Sequence, residues 1–119
     1  MAKCERRLRG DFDGLLAYLD QGILGGNVSA RLEDQSDCEM AGVRCSLRVY
    51  ERYSVVGGNR LSAAVTVVGC GDDLFVSAIT SGGSQAVFFK INTLGEGAFL
   101  DRVVDILDGY EKQLRQGRR

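Results

Sequence analysis

Residues Val43–Tyr53 read VRCSLRVYERY, and the way this stretch is folded decides the rest. Val43, Cys45, Leu47 and Val49 alternate with Arg44, Ser46, Arg48, Tyr50 and Arg52. Successive strand side chains point to opposite faces, so the stretch reads as a half-buried β-strand with its apolar, odd-numbered side expected on the core. Downstream, Leu61–Cys70 (LSAAVTVVGC) is β-branched and almost wholly apolar, the mark of a central strand. Gly57-Gly58-Asn59 and Gly71-Asp72-Asp73 are turn signals, and Leu74–Ser81 is the next strand. Three strands joined by tight turns make an antiparallel meander.

Upstream, Lys3–Arg9 sets Cys4 and Leu8 among charges and fits an edge strand, because charge discourages edge-to-edge pairing. In Asp11–Leu24, the residues Phe12, Leu15, Leu16, Leu19 and Ile23 recur at helical spacing. Asp11 and Asp13 suit the positive end of that helix, and Gly25-Gly26 is its stop. Asn27–Glu33 alternates like a strand, and Asp34–Asp37 reads as a polar turn. Near the C-terminus, Ala86–Ile91 is a candidate last strand. Thr93-Leu94-Gly95-Glu96 then matches a capping box. Phe99, Val103, Ile106, Leu107, Tyr110 and Leu114 form one stripe of a long amphipathic helix. Residues 1–2 and 115–119 are expected to fray. Strands cluster and helices sit at the ends, so the fold class is α+β. The expectation is one domain over 1–119: a two-layer sandwich with five or six antiparallel strands, and the C-terminal and N-terminal helices on one face.

Composition narrows the chemistry. The 119 residues are 45% hydrophobic and 26% charged, with a formal net charge of −1. This is an ordinary globular mixture with no long-range pull toward nucleic acid. Histidine is absent, which removes Ser-His-Asp and Cys-His sites and the commonest metal ligand. Cys4, Cys38, Cys45 and Cys70 form no C-x-x-C pair, so zinc and dithiol-motif spacings are missing. No catalytic residue, metal ligand or cofactor is read from the chain. The N-terminus lacks an apolar signal region, and the thiols suit a reduced, cytoplasmic setting. No stretch is apolar enough to span a membrane.

Two candidate sites remain. The loop Ser81, Gly82, Gly83, Ser84, Gln85 has glycines and donors able to ring an anion, but no phosphate-binding motif accompanies it. A strand-to-helix hinge explains the same glycines. The outer sheet face is expected to carry Arg44, Arg48, Tyr50, Arg52, Ala64 and Thr66. Arginine and tyrosine around an apolar middle are enriched at protein interfaces. The first function expected is therefore a non-enzymatic binding or interaction module that associates with itself or another protein through that face. The alternative is a carrier of a small apolar or anionic ligand in a pocket between sheet and C-terminal helix, because Ala63, Ala78, Gly69 and Gly97 leave room. An enzyme using carboxylate, serine or arginine chemistry ranks third.

The segments VYERY at 49–53 and SGGSQAVFFKINTLGEGAFL at 81–100 resemble a family of small bacterial proteins catalogued only as a domain of unknown function. The resemblance implies a compact single domain and carries no activity. In layout, a sheet gripping a long last helix also resembles the helix-grip fold of lipid-transfer proteins and plant allergens.

Overall fold

The computed structural model describes residues 1–25, 30–54, 59–82 and 89–117, and the side chains of these other than 53, 54, 59 and 89–98. Strand β1 (Ala2–Arg9) leads to helix α1 (Phe12–Leu24) and then to β2 (Ala30–Met40), β3 (Val43–Ser54), β4 (Asn59–Cys70) and β5 (Asp73–Gly82). Helix α2 (Phe89–Gly117) ends the chain. The strands form one antiparallel sheet in the order β1-β5-β4-β3-β2. Both helices lie on one side, giving the α+β arrangement read from the sequence.

The core lies between that side and the helices. From the sheet come Leu8, Leu61, Ala63, Val65, Val67, Leu74, Val76 and Ala78, all buried. From α1 come Phe12, Leu15, Leu16, Leu19 and Ile23, and from α2 Phe99, Val103, Ile106, Leu107 and Tyr110. Both apolar stripes expected from the sequence are therefore used. Helix α1 starts where expected, with the Asp11 carboxylate accepting the Gly14 N–H at 2.7 Å as an N-cap. Polar ties fix the helices in place. The Tyr110 hydroxyl accepts the Asp11 N–H at 3.0 Å and donates to the Asp11 carbonyl at 3.3 Å. Arg102 donates twice to the Gly22 carbonyl, at 3.2 and 2.9 Å. Arg6 of β1 reaches Asp108 at 2.7 Å and Glu111 at 3.0 Å on α2.

Three local expectations are overturned. The stretch Asp34–Asp37 is not a turn: β2 runs through it to Met40, and the reversal falls at Ala41-Gly42, with φ of 51° and 81°. Two successive positive φ values are those of a type I′ hairpin. Aspartate and serine favour turns by local hydrogen bonding, yet the same residues serve on an edge strand, where charge guards the open ladder. Helix α2 begins by Phe89, so Thr93 lies inside it and not at its cap, and 89–91 are helix rather than strand. No glycine or proline in Phe89–Asn92 blocks this earlier start. Ala86 to Phe88, like the turn glycines 57 and 58, lie outside the described residues.

The third correction is the face of β3. Tyr50 and Ser46 are fully buried, whereas Leu47 is 39% exposed. The even-numbered residues thus face the helices and the apolar odd ones face out. Pairing dictates this. Register places Ser46, Arg48 and Tyr50 opposite Val67, Val65 and Ala63 of β4, and cross-strand partners share a face.

Truncations on β3 and α1 check this register. Leu15→Ala, in the core, is expected to lower unfolding free energy by about 2–5 kcal/mol. Leu47→Ala in dilute protein is expected to change it by no more than about 0.5 kcal/mol. Urea melts giving equal losses refute the inverted face. Tyr110→Phe is expected to lose about 1 kcal/mol through its two bonds to Asp11, measured the same way.

Candidate functional site

The side of β3 that meets α1 is built from charge as well as apolar surface. The Arg44 guanidinium lies 4.4 Å from the Phe12 ring centre and clasps the Asp13 carboxylate with two bonds of 2.9 Å. That clasp holds the Asp13 carboxyl below the usual carboxylate range. The Tyr50 hydroxyl donates to Asp20 at 2.7 Å, and Arg48 approaches the same carboxylate oxygen at 3.3 Å. Burial, and then the Asp20 carboxylate, push the Tyr50 phenol far above its ordinary value. Arg52 lies 5.5 Å from the Phe99 ring centre, a cation over an aromatic face. The Nε atoms of Arg48 and Arg52 are buried and have no hydrogen-bond acceptor among the described residues. Asp20 is thus shared by a phenol and a guanidinium, and each arginine retains an unused N–H donor.

The opposite side of the sheet is uncovered by either helix. Its register gives three adjacent cross-strand rows, each read from β1 to β2. They are Arg7–Phe75–Val68–Cys45–Cys38, Glu5–Ser77–Thr66–Leu47–Ser36, and Lys3–Ile79–Ala64–Val49–Asp34. Phe75, Val68, Leu47, Ile79, Ala64 and Val49 lie inside this surface around Thr66 and Ser77, and its two edges carry charge. Leu47 and Ile79 are each 39% exposed there, well beyond a core residue. On the β1 edge Lys3, Arg7 and Arg9 outnumber Glu5, whereas the β2 edge carries Glu33 and Asp34 with Arg31. Arg31 lies 3.2 Å from Glu33.

The residues singled out from the sequence therefore separate. Ala64 and Thr66 lie on the outer face as expected. Arg44, Arg48, Tyr50 and Arg52 lie on the helix side, because the β3–β4 pairing turns them inward. Ser81 is on the outer face, with its hydroxyl 3.2 Å from that of Ser62. Gly82 ends β5 at φ 118°, where a Cβ would stand 2.5 Å from the Arg60 carbonyl oxygen, so a structural need accounts for it. Gly83, Ser84 and Gln85 lie outside the described residues. The space above Gly69 is taken by Phe12: a Cβ there would meet its ring at 2.7 Å. Tyr18, Gln21, Gly22, Arg102, Asp105 and Ile106 line an open groove of about 360 Å³ between the two helices.

Sequence reading passed over two features. One is Asp20 of α1, which the spacing of the helix does not single out. The other is the facing of Cys38 and Cys45, which follows once the hairpin is centred on Ala41-Gly42. Among the described residues no group of three or more potential ligands is placed to hold a metal ion. No helix among them is long and apolar enough to cross a membrane.

Comparison with solved structures finds likenesses of differing degree. PA94, a protein of unknown function from Pseudomonas aeruginosa, is 10% identical with a TM-score of 0.50, over 82% of this chain and 81% of that one. The hypothetical protein jhp0584 from Helicobacter pylori is 14% identical with a TM-score of 0.49, over 87% and 84%. A conserved protein from Geobacillus kaustophilus is 10% identical with a TM-score of 0.48, over 93% and 94%. At 10% identity the likeness to PA94 shows the fold alone. A search of curated proteins finds no match. A family model does match, over residues 1–111, from the first strand through most of the last helix, and the chain accordingly belongs to the family of unknown function DUF6054.

Proposed function

We propose that the protein is a non-enzymatic interaction module that pairs with a second copy of itself through the outer face of its sheet. The observation that carries this reading is the apolar surface of that face, where Phe75, Val68, Leu47, Ile79, Ala64 and Val49 surround Thr66 and Ser77 and neither helix covers them. Isolated apolar side chains are normal on a surface, but a contiguous patch marks an interaction site.

Charge and area both point to a second copy as the occupant. Strand β4 is the middle of five, so a two-fold axis along it turns the sheet onto itself with each row over its own reverse. Lys3 of one copy then stands over Asp34 of the other, and Ala64 and Thr66 meet their equivalents at the centre. The alternative axis, across the strands, stacks the basic β1 edges on each other. Strands about 4.8 Å apart and about ten residues long make a face of roughly 800 Å². A standard stable interface uses about 800 Å² from each partner. Two such sheets pack about 10 Å apart with strands within about 30°.

The unused donors of Arg48 and Arg52 favour a second reading, a carrier of a small anionic ligand on the helix side of β3. An arginine fork suits a carboxylate or a phosphate.

Sedimentation velocity at micromolar concentration is expected to give a dimer. Leu47→Lys is expected to weaken it at least tenfold and to leave the melting temperature of dilute, dissociated protein unchanged, because the lysine is exposed in the free chain and buried in the pair. Lys3→Asp is expected to weaken it several-fold, and Lys3→Asp with Asp34→Lys to restore it. A wild-type monomer throughout the micromolar range ends the self-association reading. The second reading is checked by thermal shift with acetate, longer fatty acids and inorganic phosphate. A bound ligand at ~100 times its dissociation constant stabilises by about 2.7 kcal/mol. Arg48→Met is expected to abolish that shift, and no shift with any of these anions removes the carrier.

A further inference from the structure

Cys38 and Cys45 lie directly opposite one another on β2 and β3, on the outer face of the sheet. From the geometry of this hairpin we propose that the pair is a dithiol oxidation site, at which a hydroperoxide converts the two thiols into one cross-strand disulfide.

Position supports the pairing. Directly opposed residues of an antiparallel ladder have Cα atoms about 4.5 or 5.5 Å apart. A disulfide spans Cα separations of about 4.4–6.8 Å, so either value serves without moving a strand. The tight turn at Ala41-Gly42 holds the two strands in this register. The two thiols also differ in setting. Cys38 is exposed on the edge strand, where an oxidant can reach it, while Cys45 is partly covered by its strand neighbours. Burial in the first place, then the facing Cys38 thiol, pushes the Cys45 thiol up, and Cys38, the exposed thiol of the two, is the one that meets the oxidant. No other pair of the four cysteines is directly opposed: Cys4 faces Ala78, and Cys70 faces Val43 and Asp73.

The chemistry balances with the peroxide as the only oxidant. The Cys38 thiolate attacks one peroxide oxygen, an S–O bond forms, the O–O bond breaks, and the departing alkoxide takes up a proton as an alcohol (water, for hydrogen peroxide). The Cys45 sulfur then attacks the Cys38 sulfur. The S–S bond forms, the S–O bond breaks, and hydroxide leaves with the Cys45 proton as water. Two thiols have given up two electrons and two protons, and a cellular thiol reverses the change by exchange. The site rests on the β2–β3 hairpin alone. A second copy seated over β4 leaves Cys38 at the rim, so the inference stands or falls apart from self-association.

The test treats the native, full-length, reduced chain with a small excess of hydrogen peroxide, quenches with an alkylating agent, and reads intact mass and proteolytic peptides. The expected product has lost two hydrogens, retains two alkylatable thiols out of four, and links the peptides holding Cys38 and Cys45, which cleavage at Arg44 separates. Dithiothreitol is expected to restore all four. Cys38→Ser is expected to abolish the intramolecular disulfide. Cys45→Ser is expected to stop the reaction at a Cys38 sulfenic acid that dimedone captures, and should that variant fail to fold, the exposed Cys38→Ser change decides alone. Four alkylatable thiols after treatment, or Cys38 bonded to Cys4, to Cys70 or to another chain, overturns the proposal.

Discussion

The pairing of β3 with β4 is the constraint from which the rest of the molecule follows. Tyr50 stands opposite Ala63, and both are fully buried. The small alanine leaves the tyrosine ring space beneath the helices, and Asp20 receives its hydroxyl. One residue of slip in this pairing would exchange the faces of β3. Leu47 would then press into the helix layer, while Tyr50 and Arg48 would lose Asp20. The pairing also joins an even-numbered face of β3 to an odd-numbered face of β4, since Val43 lies opposite Cys70. The arginines inside and the apolar surface outside are thus one consequence of one register.

Placing Arg44, Arg48 and Arg52 toward the helices is tolerable because an arginine is not polar along its length. Its stem covers apolar surface while the guanidinium finds a partner. Arg44 and Arg52 lie over aromatic rings, and Arg44 and Arg48 meet carboxylates of α1. The layer is consequently divided. Where β5 and β4 meet α2 it is almost wholly apolar, with the Arg6 ion pairs at the β1 edge, and where β3 meets α1 it is a mixed region of stems, rings and ion pairs. Burying a charge is expensive unless it is compensated, so Asp20 carries a burden out of proportion to its size. Replacing it would strand a guanidinium and a phenol together.

What the sequence conveyed depended on how local each signal was. Helix α1, with its Asp11 cap, and the buried stripe of α2 were legible because spacing of three and four is set within the element. Strands β4 and β5 were legible because their inward residues are apolar and their turn at Gly71 is tight. The inner face of β3 was not, because it depends on which residue of another strand lies opposite, and no property of VRCSLRVYERY encodes that. Choosing the more apolar side as the core is a sound rule until the outer side also has something to cover. The same error displaced the arginines of the expected interface, whereas Ala64 and Thr66, on a strand whose parity was read correctly, kept their place. The facing of Cys38 and Cys45 was hidden for a related reason: it appears only when the reversal is moved from Asp34–Asp37 to Ala41-Gly42.

A two-layer sandwich has one sheet face that its helices do not reach, and most sequences make that face polar. Here Phe75, Val68, Leu47, Ile79, Ala64 and Val49 make much of it apolar around Thr66 and Ser77, and the polar residues of β3 that would solvate it are committed to the helix layer. Among the described residues both helices are already spent on the other side, and in the proposed pair a second copy supplies the cover for this face. The edges limit the route by which it comes. β1 presents Lys3, Glu5, Arg7 and Arg9, and β2 presents charges and a register shift between Leu32 and Asp34. Charge and irregularity of this kind discourage another strand from adding to an open ladder. With edge-to-edge growth opposed, the proposed face-to-face packing would bury Leu47 and Ile79. Such a pair would close after two copies, because each face is consumed by the other, and a closed pair avoids the open-ended assembly that an exposed apolar sheet would otherwise invite.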